Sequence, residues 1–234
     1  MDALIEFGRG PLFRFSAAIA VLGLLRHVVL SVVGLIDVKH RAGDKRLQLG
    51  SLLVRTASRL NPLRYFVGSR RVYSILSTAF HIGLILAPIF YLGHIRLWAR
   101  GTGWGWPALP GAVADGFTIL TMVAAALLLL GRAWSRASRV MSRPQDWLLP
   151  LLIAAEFLSG YLLAHPAREP LSLNTTMLLH VWVGDLLLLV TPFTKIAHCA
   201  LLPFSQIVAE MAWRMVPGAG LDVVKTLGKE GQPI

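Results

Sequence analysis

The sequence contains a single cysteine, Cys199. One thiol cannot make an internal disulfide, ligate an iron–sulfur cluster or supply the CxxCH motif that attaches haem covalently. Charge is scarce as well: 15% of the 234 residues are Asp, Glu, Lys or Arg, and only 12 are acidic. With 55% hydrophobic residues and a mean hydropathy of +0.63, this composition is rare among soluble domains. The sequence shows neither an internal repeat nor paired interrupted segments, the usual marks of a transporter, and no low-complexity tract. It does have long apolar runs, which define an integral membrane protein. The net charge of +11 then reads as basic cytoplasmic loops, not as a nucleic-acid surface.

Five runs approach the roughly 20 residues needed to span a hydrocarbon core. They cover 13–36, 74–98, 112–131, 146–164 and 174–203. Because a lone strand in lipid leaves its backbone unpaired, these runs are expected to be helices, and the fold an all-α membrane domain over 1–234. Asp2 and Glu6 precede the first run, and that run exceeds an h-region, so it reads as a retained helix. The loop between the first two spans carries Lys39, Arg41, Lys45, Arg46, Arg55, Arg59, Arg64, Arg70 and Arg71. The loop after the third span adds Arg132, Arg136, Arg139 and Arg143, and the tail adds Arg214, Lys225 and Lys229. The opposite side holds only Arg9, Arg14, Arg96, Arg100 and Arg168. This bias predicts an outer N-terminus and a cytoplasmic C-terminus.

Within the first basic loop, residues 47–60 place Leu49, Leu52, Leu53, Ala57 and Leu60 at helical spacing, away from Arg55 and Arg59. The pattern predicts an amphipathic helix on the inner membrane surface or a docking face for a cytoplasmic subunit.

Of seven histidines, four fall in two spans: His81 and His94 in the second, His180 and His198 in the fifth. A single intramembrane histidine is often a hydrogen-bonded core residue. Two on each of two antiparallel spans form facing pairs, His94 with His180 toward the outside and His81 with His198 toward the cytoplasm. Two imidazoles suit the axial positions of a haem iron, whereas zinc wants three or four ligands together. Gly83, Gly93 and Gly184 beside these histidines would let a flat ring approach the backbone. On an ideal helix, 18 residues from His180 to His198 are five turns, so both rings point one way. The 13 residues from His81 to His94 leave the second ring about 140° off, unless Pro88 between them rephases the helix. His40 and His165 read as solvated.

Arg26, Glu156 and Asp185 also fall within spans, where each costs roughly 2.5–3.5 kcal/mol if unpaired. They can pair with one another. Arg26 can meet a haem propionate, and the carboxylates can exchange protons with a quinone.

The stretch "TPFTKIAHCALLPF" resembles the last-helix signature of the gamma-subunit family of respiratory nitrate reductases, through Pro192, Phe193, Thr194, Lys195 and His198. The 18-residue step to His198 is also similar. "FGRGPLFRFSAAIAVLGLLRH" and "RRVYSILSTAFHIGLILAPIFYLGHIRLW" resemble more closely a branch of the same superfamily. That branch supplies the membrane cytochrome b of dissimilatory sulfite-reductase-linked and heterodisulfide-reductase-like complexes. The nitrate reductase subunits have a shorter ligand step on the second helix than the 13 residues here, which also favours the sulfur-metabolism branch. The resemblance spans roughly residues 7–203. It implies a five-helix, quinone-reactive subunit with two haem b groups, His94 and His180 holding the outer iron and His81 and His198 the inner one. The expected function is electron transfer between quinone or menaquinone and a cytoplasmic iron–sulfur subunit. The setting would be a hetero-oligomeric oxidoreductase complex of a bacterial or archaeal cytoplasmic membrane. The alternatives are a proton-coupled transporter with relay histidines and a membrane oxidoreductase acting directly on a small substrate.

Overall fold

The computed structural model describes residues 1–42, 49–67, 71–168, 170–215 and 219–231. Lys45, Arg46 and Arg70, and positions 47 and 48 of the amphipathic stretch, lie outside them. The described residues contain no strand. Their helices are α1 (Asp2–Phe7), α2 (Phe13–Ala42), α3 (Leu49–Leu60), α4 (Arg71–Phe90), α5 (Leu92–Thr102), α6 (Gly111–Trp134), α7 (Arg136–Met141), α8 (Gln145–Ala164), α9 (Leu173–Val190), α10 (His198–Met215) and α11 (Ala219–Thr226). Five helical stretches are long and apolar enough to cross a membrane: Asp2–His40, Arg71–Phe90, Gly111–Trp134, Gln145–Ala164 and Leu173–Phe193. The protein is therefore all-α with five candidate spans.

The chain forms two compact units. The first is Met1–Leu22 with Tyr65–Lys195; the second is Gly23–Arg64 with Ile196–Ile234. In the first unit α4 packs on α6, α6 on α8, α8 on α9, and α1 on α9. Ties between helix ends set the directions. The Leu109 amide, just before α6, donates to the Phe90 carbonyl at the end of α4 (3.0 Å). Asp115 near the start of α6 meets His165 just beyond α8 (3.3 Å), and Lys195 beyond α9 meets Asp146 at the start of α8 (2.6 Å). Successive spans from α4 to α9 are thus antiparallel.

Phe80, Ala87, Ala124, Ala125, Ile153 and Phe157 form the buried core of this bundle. Lipid offers helices no hydrophobic drive to associate, so close packing of small residues carries the load. At Gly83 a Cβ would overlap Thr121 Oγ1 and come within 2.7 Å of the Phe117 carbonyl oxygen. Thr121 Oγ1 itself donates to that carbonyl (2.7 Å), which hides its hydroxyl within α6.

The second predicted span, 74–98, is two helices. Pro88 lies in the last turn of α4, and Tyr91 is extended, with φ −74° and ψ 129°. Ending a helix within an apolar region leaves its last carbonyls to be satisfied. Each of the last four has a donor. Ala87 accepts from the Tyr91 amide (2.9 Å), Pro88 from His94 Nδ1 (2.8 Å), Ile89 from Trp106 Nε1 (2.8 Å) and Phe90 from the Leu109 amide. The loop rich in Trp, Gly and Pro folds back to complete the helix end.

The fifth predicted span, 174–203, is also interrupted. Helix α9 stops at Val190, 3-10 turns cover Thr191–Phe193 and Lys195–Ala197, and α10 begins at His198. Pro192 has no amide to continue the ladder, and Thr194 is extended. Five ideal turns from His180 to His198 therefore do not exist, and the phase derived from them is withdrawn.

In the second unit α3 packs on α10. Leu52 and Thr56 of α3 and Glu210 and Met211 of α10 are buried, and Arg59 pairs with Glu210. Part of the predicted apolar stripe thus covers a helix of the same chain, while Leu53, 56% exposed, does not.

Candidate functional site

The structure brings His94 and His180 together. His94 lies in the first turn of α5, directly after the break at Tyr91. His180 lies seven residues into α9, about 10 Å along its axis. Their rings are nearly parallel, 7° between planes, with centroids 6.0 Å apart. His94 belongs to the helix after the break, so the angle of roughly 140° from His81 that an unbroken helix would impose does not apply. Tyr91 sits edge-on to the His94 ring at 5.5 Å.

Each Nδ1 has a protein acceptor. His94 Nδ1 donates to the otherwise orphaned Pro88 carbonyl (2.8 Å). His180 Nδ1 donates between Glu156 Oε1 (3.1 Å) and Ser159 Oγ (3.0 Å). A neutral imidazole with its proton on Nδ1 keeps its lone pair on Nε2. Anchoring the other nitrogen in this way is what metal-bound histidines ordinarily do. His94 and His180 would be the residues to hold a metal centre here, each through the nitrogen that the protein does not bind. Among the described residues no group of three or more His, Cys, Asp or Glu stands together as a metal cage. The donor set therefore suits an ion that takes two protein ligands, with its other positions filled by a macrocycle.

Glycines shape the site, though not those expected. Gly83 is occupied by Thr121, and a Cβ at Gly93 would press on the Tyr91 ring (2.8 Å). At Gly184 a Cβ would lie 2.9 Å from Glu156 Oε1, so its space holds a carboxylate. The glycine that faces a histidine ring is Gly160 of α8, where a Cβ would stand 3.1 Å from His180 Cε1. Glu156, Ser159 and Gly160 follow i, i+3, i+4 spacing, one face of a helix. That spacing was the signal in the sequence for this wall of the site.

Glu156 is largely buried, and its second oxygen, Oε2, has no hydrogen-bond partner; nor has Oδ2 of buried Asp185 on α9. Arg26 is exposed on the part of α2 that belongs to the second unit. The donor that Glu156 Oε1 accepts from is His180 Nδ1.

His81 lies in the middle of α4, half-buried, with Nδ1 donating to the Ser77 carbonyl (2.6 Å). His198 is the first residue of α10 in the second unit and is exposed there. His165, expected to be solvated, is held at both nitrogens: Nδ1 to the Tyr161 carbonyl (2.9 Å) and Nε2 toward Asp115. It ties α6 to the end of α8.

A chain from Nitratidesulfovibrio vulgaris (strain Hildenborough), described only as a protein, is 29% identical over 207 residues, covering 87% of this chain and 90% of that one. No protein-family model matches the chain, and no solved structure matches it.

Proposed function

We propose that this chain is the membrane subunit of an oxidoreductase complex, carrying electrons between a quinone or menaquinone and a cytoplasmic iron–sulfur subunit through two haem b groups. His94 and His180 would hold the outer haem; His81 and His198, each in its own unit, are the remaining ligand candidates. The observation that carries the reading is the His94–His180 pair: two parallel imidazoles with centroids 6.0 Å apart, each held through Nδ1. A haem bound there supplies one-electron chemistry that no side chain of this protein offers. The protein's own part is to aim the two Nε2 atoms and to exclude water with the α4–α6–α8–α9 bundle. The resemblance to nitrate reductase gamma subunits and to the sulfur-metabolism cytochromes b supports the same reading, as does the Nδ1 anchor of His81.

Glu156 and Asp185 are the proposed proton acceptors for a quinol, since each keeps a buried oxygen without a partner. Arg26 is the proposed counter-ion for a propionate. The basic loops favour a cytoplasmic partner on their side of a bacterial or archaeal cytoplasmic membrane.

The same two unpartnered carboxyl oxygens also suit a proton-coupled transporter. A dithionite-reduced minus air-oxidised spectrum of the purified protein separates the two. A split b-type α-band supports electron transfer; a flat difference spectrum leaves the transporter.

A further inference from the structure

Helix α8 reaches the ligand pair without contributing a ligand. Its Glu156 places Oε1 3.1 Å from His180 Nδ1 on the neighbouring helix α9, and both side chains are mostly shielded, at 16% and 17% exposure. The contact is built from both sides. Gly184 on α9 leaves the space that the carboxylate fills, and Gly160 on α8 leaves the space for the His180 ring. The Ser159 hydroxyl, 3.0 Å from the same nitrogen, donates its own proton to the Glu156 carbonyl (2.8 Å). Its remaining lone pairs therefore also face the ring. Of the two acceptors Glu156 is the one that can carry charge, and a charge-assisted hydrogen bond is about twice as strong as a neutral one. His94 has only a neutral carbonyl in the equivalent place.

We propose that Glu156 is the positioning residue of this pair: its carboxylate takes the Nδ1–H of His180, turns Nε2 toward His94 and makes His180 the more basic of the two ligands. This rests on the reading of His180 as a haem ligand. A more basic imidazole donates more electron density and favours the oxidised metal. The outer haem would then be harder to reduce than its histidines alone would make it, and that difference would come from α8.

The test is a redox titration with electron paramagnetic resonance on the purified membrane protein and on Glu156→Gln, Ser159→Ala and Gly184→Ala. Gln keeps an acceptor oxygen in place and removes the charge. Glu156→Gln is expected to retain both haems and to raise the reduced-to-oxidised ratio of one component about tenfold at fixed potential, about 59 mV for one electron. The g values of that ferric component should move while those of the other stay. Gly184→Ala leaves both side chains chemically intact and pushes the carboxylate away from the ring, so it should shift the same component in the same direction. Ser159→Ala should shift it less. Should Glu156→Gln fail to accumulate, Gly184→Ala decides the matter by the same two readouts. Both haems present with unchanged potentials and g values in Glu156→Gln or, failing that, Gly184→Ala would overturn the role of Glu156 and leave the haem reading intact. A wild-type protein without haem would overturn both.

Discussion

Two nitrogens define the site at the scale of the residue. His94 and His180 each give Nδ1 to the protein, which leaves Nε2 of each ring as the available donor. A shared metal, as proposed, would make them interdependent, so His94→Ala and His180→Ala should remove the same component of the haem spectrum. About half of the haem should remain, because His81 and His198 are untouched. Loss of different components in the two variants would break the pair. The four histidines stood out in the sequence because imidazoles are costly in apolar helices without a partner, and the order of spans already paired His94 with His180. Their supports did not stand out. Whether Glu156 faces His180, Arg26 or a quinone depends on the rotation of α8 against α9, and no single helix encodes that. The same holds for the glycines. Gly83 and Gly184 lie within a turn or so of histidines in the sequence, yet their missing side chains make room for Thr121 and Glu156.

Helix interruptions matter most at the scale of the element. Hydropathy marks where a chain can cross a membrane, but an apolar run reads the same whether or not the helix within it is broken. Pro88 signalled trouble in the second span, and Pro192 lies at the break in the fifth. The sites of the breaks follow from which carbonyls can find donors, and those donors, Trp106 and Leu109 among them, come from the next loop. The close α4–α6 crossing is similarly a property of two elements. Gly83→Ala puts a methyl group into Thr121 Oγ1 and against the Phe117 carbonyl, an overpacking that costs about 1–3 kcal/mol. The variant should inactivate at a lower temperature in detergent. Adding Thr121→Ala should restore only part of the loss, since the Phe117 carbonyl remains in the way. A Gly83→Ala protein as heat-resistant as the wild type would show that the two helices can separate freely there.

The whole molecule is asymmetric in charge. The many Lys and Arg residues of the loops after the first and third spans predict that these loops face the cytoplasm. In a Cys199→Ser background, a cysteine at Trp104 should react with an impermeant maleimide added to intact cells, and one at Val67 should not. The reverse pattern would exchange the inner and outer labels of both histidine pairs. The number of spans was legible from composition because it follows from transfer free energies summed over many residues. The division into two units was not, because it depends on where α2 and the Thr191–Ala197 turns pass between bodies. The proposed cargo of this protein is two non-covalent haem b groups. A pyridine haemochrome assay of the purified chain, normalised to amino-acid analysis, tests it most directly. Two b-type haems per chain, both extracted by acid acetone, are the predicted result; no haem, or haem that stays with the precipitated protein, would contradict it.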